Sequence, residues 1–476
     1  MEMWSLWLFL ISFLIVSVTT WIYWWRNPSC NGRLPPGSMG LPLIGETFNF
    51  LVTSKSIDIH PFIKERMERY GPLFKTSLAG RSVVVSSDPD FNYFVLQQED
   101  KLVELYYMDT FAKLVHKENV NEGGYLHKYL KRVLLSCTGP ECLKEKLLSQ
   151  SEEIINHELH EWTKQSEVEV KAQSAAMTHG FISKILMGCE LENSEENLSE
   201  YFCSFLQRLL TFPLYIPGTD FYRCIKKQQK VLTLISQLLE ERRKSYSQGC
   251  NNGDFLGQLV EGMGKEAFLT PEFVSNVIFG LLAATIDTLS SAVTLAIKCV
   301  LDDPSALQQL TEEHEEILKK REGTNLGLSW EEYKSMTFTH YVIKEALRLA
   351  SVAPGIFRKV ITDIHINGYT IPKGWILLII PAALQLNPNI YEDPLTFNPS
   401  RWKNMGGISI AKNFVPFGGG NRTCAGAEFS KVLMAVLLHV WVTKYRLTRI
   451  RGGDVARTPV LEFTNGFFVK VSEKQP

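Results

Sequence analysis

Nothing in this 476-residue chain marks an internal boundary: after residue 50 there is no Pro/Gly/Ser-rich linker, no block of like charge and no repeat. Length alone would allow about three domains, but without a divider the reading is one large domain, and 45% hydrophobic residues suffice for its core. An excess of one charge is also missing. Fifty Lys and Arg nearly cancel fifty-one Asp and Glu, so no global field exists to gather nucleic acid or steer an anionic substrate. No CxxC pair occurs among the nine cysteines, which are odd in number and scattered; that excludes a disulfide framework and points to a reducing compartment with mostly inert thiols. Phosphate-cradling loops are absent too, since neither GxxxxGK[ST] nor GxGxxG is present.

Charge is lacking altogether from Met3 to Trp25. Twenty-three helical residues at about 1.5 Å each cross about 30 Å of hydrocarbon, and bulky Tyr23, Trp24 and Trp25 stand where a signal peptidase would need small residues. Arg26 and Arg33 follow while only Glu2 precedes, which predicts an uncleaved anchor with the remainder cytoplasmic. Next come Leu34-Pro35-Pro36-Gly37 and Gly40 to Gly45, a stiff, turn-rich exit. The expected organisation is an anchor over 1–26, a hinge over 27–46 and a single domain over 47–476.

Downstream, Pro72–Ser86 alternates as strand does, and Ile364–Ile380 reads as two more strands around Asn367-Gly368 and Pro372-Lys373-Gly374. Glu152–Trp162, Gln228–Tyr246, Ala306–Lys320 and Phe338–Ala350 carry helical period. The expected fold is therefore mostly α with a small β-sheet region. One helix, capped by Thr270 and opened by Pro271 and Glu272, runs to about Asp302 and is apolar on nearly every face. Asp287 and its neighbouring hydroxyls would cost several kcal/mol in lipid, which favours a core helix over a second membrane span. A buried acid there demands a partner or a purpose.

The chemistry concentrates in Phe417-Gly418-Gly419-Gly420-Asn421-Arg422-Thr423-Cys424-Ala425-Gly426, just before a helical run. A cysteine entering a helix has its thiolate favoured by the dipole and nearby amides, as an iron ligand requires. Arg422 offers a cation to an acidic cofactor group, Phe417 can pack beside the ligand, and the glycines admit close backbone approach.

This segment resembles the haem-binding signature FxxGxRxCxG of the cytochrome P450 family at every defined position. Glu345 and Arg348 in KEALRL match the family's ExxR, and Pro399-Ser400-Arg401-Trp402 its PxRF/W element. The resemblance covers essentially the whole chain and implies the cytochrome P450 fold with an N-terminal transmembrane helix. It implies haem b ligated by Cys424, with Phe417, Gly418 and Gly426 around the ligand and Arg358, Arg422, His127 and Lys131 toward the propionates. His127 and Lys131 stand where the family keeps Trp and Arg. Ala284-Thr285-Ile286-Asp287-Thr288 is similar to the oxygen-activation motif [AG]Gx[DE]T, with Thr285 in place of glycine; Asp287 and Thr288 are the implied catalytic pair. A threonine bonding back to its own helix is the bland alternative for Thr288.

The implied activity is a monooxygenase at the endoplasmic reticulum membrane, with the catalytic domain cytosolic. It would use dioxygen and NADPH-derived electrons from NADPH-cytochrome P450 reductase to hydroxylate a hydrophobic small molecule, without nucleic acid. Stretches such as FPLYIPGT and LSWEEYKSMTFT resemble plant enzymes of the clan that oxidises sterols and triterpenoids, some of which cleave side chains. A diterpenoid or steroid-hormone oxidase, or a haem-binding membrane protein without activity, are the rival readings. Leu209–Thr219 lies where the resemblance places the mobile entrance loop, whose apolar residues would dip into the bilayer; an ordinary core loop is the alternative. The ligand assignment is checked by the reduced carbon monoxide spectrum: Cys424→Ser should abolish the thiolate band, and an unaltered band would sink it.

Overall fold

The computed structural model describes residues 2–107, 123–191, 198–203, 215–249, 253–321, 327–458 and 460–474. Of the entrance-loop expectation, residues 209–214 lie outside the described residues. The first helix, α1 (Glu2–Arg26), presents its apolar side chains to the exterior along its length. Its last turn is tied to the chain that follows, because Trp25 Nε1 donates to the Met39 carbonyl at 3.2 Å. The Pro/Gly stretch is stitched to the domain in its second half: Lys75 N donates to Pro36 O at 2.8 Å and Glu46 N to Ser77 O at 2.8 Å. Gly37 is required there, since a Cβ would lie 2.0 Å from Lys75 O.

Beyond it, β1 (Leu73–Leu78) and β2 (Arg81–Ser86) form a hairpin through Ala79 and Gly80, both left-handed, as a two-residue turn between right-twisted strands requires. They join β3 (Val103–Leu105), β4 (Ile356–Val360) and β5 (Ile376–Ile379) in one sheet ordered β1-β2-β5-β4-β3, in which only β2 and β5 run parallel. The region read as two strands holds three: Ile364–Ile366 and Tyr369–Ile371 pair through Asn367-Gly368, while β5 enters the large sheet. Short strands near the C-terminus, Tyr445–Gly452 with Phe467–Glu473 and Val455–Thr458 with Val460–Phe463, add sheet the sequence reading did not anticipate.

Helices make up most of the rest. They include α2 (Gly123–Thr138), α3 (Val170–Met187), α4 (Pro271–Asp302), α5 (Pro304–Lys320), α6 (Thr337–Ala350) and α7 (Ala427–Lys444). The expected cap holds: Thr270 Oγ1 accepts from Phe273 N at 3.2 Å. α4 ends where Asp303, followed by Pro304, turns to cap α5, its Oδ1 accepting from Ser305 N and Ala306 N. α4 is the core helix anticipated, buried on most faces among α3, α6 and α7. Each fully buried Leu, Ile or Phe on it contributes roughly 1.5–3 kcal/mol, so its position is fixed by packing all round rather than by one stripe.

Three helices meet over a polar knot inside this apolar core. Thr339 Oγ1 donates to Glu313 Oε2 at 2.6 Å and so accepts from His314 Nε2 at 2.9 Å. That leaves His314 Nδ1 as the acceptor for His439 Nδ1–H, also at 2.9 Å. Both rings are neutral: burial, reinforced by His439, pushes His314 down to about 3, and burial with Arg321 pushes His439 to about 4. Lys444 acts in the same direction on His439 and Glu332 against it. An unfolded histidine titrates near 6.5, so the unfolded chain takes up protons that the folded chain refuses until about pH 4. Stability from the pair is complete above about pH 6.5 and is lost as pH falls through that window. The melting temperature should decline from about pH 6.5 to 5, before carboxylates dominate, and a His314→Gln/His439→Leu double variant should flatten that decline.

Candidate functional site

Glu345 and Arg348 stand one turn apart on α6, both wholly buried. The Glu345 carboxylate accepts from Arg348 Nε and Nη2 at 2.9 and 2.7 Å, from Arg401 Nε at 2.9 Å, from Trp402 Nε1 at 2.9 Å and from Asn398 N at 3.1 Å. Arg348 Nη1 donates in turn to the Gln385 and Pro394 carbonyls at 2.9 and 2.6 Å. Gln385 completes the path, because its Oε1 accepts from Val415 N at 3.2 Å, two residues before Phe417. A local pair on one helix thereby fixes where the cysteine loop begins. Trp402 as a donor was not foreseen; only its place beside Arg401 was legible.

The loop itself is closed by Cys424 N donating to Phe417 O at 2.9 Å. Gly420 has φ +64°, and a Cβ there would lie 1.9 Å from Leu96 O, so only glycine permits this approach. Cys424 is the one exposed cysteine among the described residues, and what it faces is a cavity of about 430 Å³ rather than open solvent. Thr288 and Ala284 of α4 and Phe417, Gly418 and both arginines, Arg358 and Arg422, border the same cavity. Burial pushes the Cys424 thiol above its ordinary value, opposed by the Gly426 backbone N–H and by Lys131. A cation over the sulfur would favour its ionisation, as metals do for coordinated thiols.

The remaining expected residues divide. His127 and Lys131 lie one turn apart on α2, flanking the loop: Lys131 Nζ donates to Thr423 O at 3.2 Å and to Asn421 O at 3.4 Å. His127 is held neutral by burial and by the Arg422 charge, and its Nε2 is buried without a hydrogen-bond partner among the described residues. Thr288 Oγ1 donates to Ala284 O at 2.7 Å, the back-bond to its own helix. Thr285 does the same, donating to Leu281 O at 2.7 Å. Asp287 does not border the cavity; its carboxylate stands 3.0 Å from Lys171 Nζ of α3. Burial is the largest single influence on Lys171 and would depress it, but the charge and hydrogen bond of Asp287, with smaller help from Cys203 and Glu462, together turn the shift upward and stabilise the ammonium. Lys171 and Glu99, a buried acid between Arg358 and Arg422, were missed, since neither lies in a pattern that its sequence neighbours reveal.

A cysteine presented by a glycine-shaped loop to a buried cavity under a long core helix, with two buried arginines at its rim, defines the haem-thiolate class. The family model "Cytochrome P450" matches residues 35–471. A β-amyrin 16α-hydroxylase of Maesa lanceolata is 44% identical over 99% of this chain and 100% of its own length. A cucurbitadienol 11-hydroxylase of Siraitia grosvenorii is 40% identical over the same shares. Among solved structures, retinoic acid-bound cyanobacterial CYP120A1 superposes with a TM-score of 0.80 at 25% identity, covering 93% of this chain and 100% of that one. The chain belongs to the cytochrome P450 family and is a monooxygenase built on haem-thiolate iron, dioxygen and reductase-supplied electrons. Its own residues fit the haem: an exposed thiol faces the cavity, two guanidiniums reach its rim, and the unpartnered His127 Nε2 lies beside Arg422 and Lys131.

Glu345 is the place to test how the loop is held. Glu345→Ala strands the wholly buried Arg348 guanidinium without its carboxylate, which costs about 3–5 kcal/mol. A melting temperature lowered by several degrees and a loss of bound haem are expected, whereas an unchanged melt would show that the loop is fixed by other means.

Proposed function

We propose that this chain is a membrane-anchored enzyme that hydroxylates a triterpenoid or sterol skeleton, with haem b ligated by Cys424. The observation that carries the reading is Cys424 opening onto an apolar-lined cavity that Arg358, Arg422 and Thr288 also border; the substrate class follows from what the two plant relatives are named for. Residues 1–26 are the anchor, 27–46 lead out of the bilayer and 47–476 form the catalytic domain, at the cytosolic face of the endoplasmic reticulum. NADPH-cytochrome P450 reductase is the electron donor.

Bound haem supplies dioxygen activation at the metal, with the thiolate lending electron density. Cys424 holds the metal from the loop side. Arg358 and Arg422 take the propionates, for which planar, always-charged guanidiniums are suited, while Lys131 fixes the loop carbonyls beside them. Phe417 and Gly418 shape the wall next to the sulfur, and Gly426 directs its N–H toward it. Thr288 rests with its hydroxyl proton on Ala284 O; turning that O–H toward a water in the cavity while Oγ1 accepts a proton from a second water would pass one proton along. Asp287, ion-paired with Lys171, stands behind it; on leaving Lys171 and taking up a proton from solvent water it would hand that proton to the relay. The apolar lining, with Leu289, Ala292 and Val352, excludes bulk water and accepts a greasy ring system.

The test is product analysis by mass spectrometry in yeast carrying this protein, a plant reductase and cyclases supplying a panel of triterpenes beside the host's sterols. Ring skeletons bearing one or more added oxygens are expected. A normal thiolate spectrum with no new product from any of these skeletons would overturn the substrate class.

A further inference from the structure

Arg358 and Arg422 bring two like charges together at the cavity rim, and neither is solvated: their side chains are 4% and 9% exposed. Two buried guanidiniums repel each other and each bears a desolvation cost, so the folded chain must hold something between them. That group is Glu99, just beyond the helix Pro89–Leu96 and only 1% exposed. Arg422 Nε donates to Glu99 Oε1 at 2.9 Å, and Leu105 N of β3 donates to the same oxygen at 3.0 Å. Arg358 Nε stands 3.0 Å from Oε2, an ionic contact that is not aligned as a hydrogen bond. One carboxylate thus joins three parts of the chain: the edge strand β3, its neighbour β4 and the cysteine loop.

We infer that Glu99 is a positioning residue of the propionate site, an internal counter-anion that holds Arg358 and Arg422 at the rim and sets how much negative charge the cavity accepts. This rests on the haem reading above. Arg358, Arg422 and Lys131, whose ammonium lies on the loop carbonyls, give three positive charges. Glu99 and the two propionates give three negative ones. Removing Glu99 leaves one cation in excess and frees the guanidiniums to move apart, even though no atom of Glu99 need touch the cofactor. Glu99 acts by charge as well as by shape, which sets it apart from a residue that merely packs.

The experiment uses the full chain, wild type beside Glu99→Gln and Glu99→Asp. Haem content, the rate of haem transfer to apomyoglobin and the ferric/ferrous midpoint potential are measured. Hydrogen bonds to charged groups contribute enough that Glu99→Gln should release haem about tenfold faster or more. Its potential should move positive, because one fewer negative charge favours the reduced state. Glu99→Asp keeps the charge and should hold the wild-type potential while releasing haem at an intermediate rate; if Glu99→Gln does not accumulate, this variant decides, and a displaced potential overturns the inference. Wild-type release and potential in Glu99→Gln overturn it, as does faster release with no change of potential, which marks a packing role alone. A wild-type protein that holds no haem overturns the haem reading and this inference together, whereas the other failures leave the haem reading standing.

Discussion

The Glu345–Arg348 pair, two charges removed from water and each met by partners, is the interaction on which the rest depends. Both side chains are wholly buried, a state that costs several kcal/mol per ion unless every lone pair and N–H is used. Here they are used on structure distant in sequence: Arg401, Trp402 and the carbonyls near Pro394 gather on this pair, and Gln385 passes the constraint to Val415. The consequence is positional. The loop carrying Cys424 starts from a fixed point, and its glycines allow it to close against Leu96.

The same rule governs the rim and roof of the cavity. Asp287 is met by Lys171 and the two rim arginines by Glu99, so these buried charges near the site have counter-charges supplied from other elements, while Lys131 rests on loop carbonyls. Thr288, which has no charge to balance, bonds to its own helix and stays at the cavity wall. The Cys424 thiol lies in the same cavity, where burial raises its pKa against the Gly426 N–H and Lys131. A site arranged in this way receives a metal-bearing cofactor without first having to reorganise its own charges.

Much of this was readable from the chain because it depends on near neighbours. The apolar N-terminal helix, the cap at Thr270, the apolar length of α4 and the spacing from Phe417 to Gly426 are local patterns, and each stands where its pattern said. The strand count between Ile364 and Ile379 was less legible, since whether a short apolar run pairs in a hairpin or enters a sheet depends on what lies across from it. Tyr445–Gly452 was overlooked for a related reason: its alternation is carried by Arg and Thr on an exposed side, which resembles loop composition.

The sequence by itself determined the family, which cysteine to test as the iron ligand and the residue types around it, because those are spacings along one stretch of chain. Only the tertiary structure decided what each charged side chain faces. Asp287 turned out to be paired with Lys171 across two helices, Lys131 to grip the loop carbonyls, and Glu99 to lie between two arginines more than two hundred residues away. Pairings of this kind are set by burial, where an ion must find the nearest opposite charge in space, and distance along the chain carries no record of that choice.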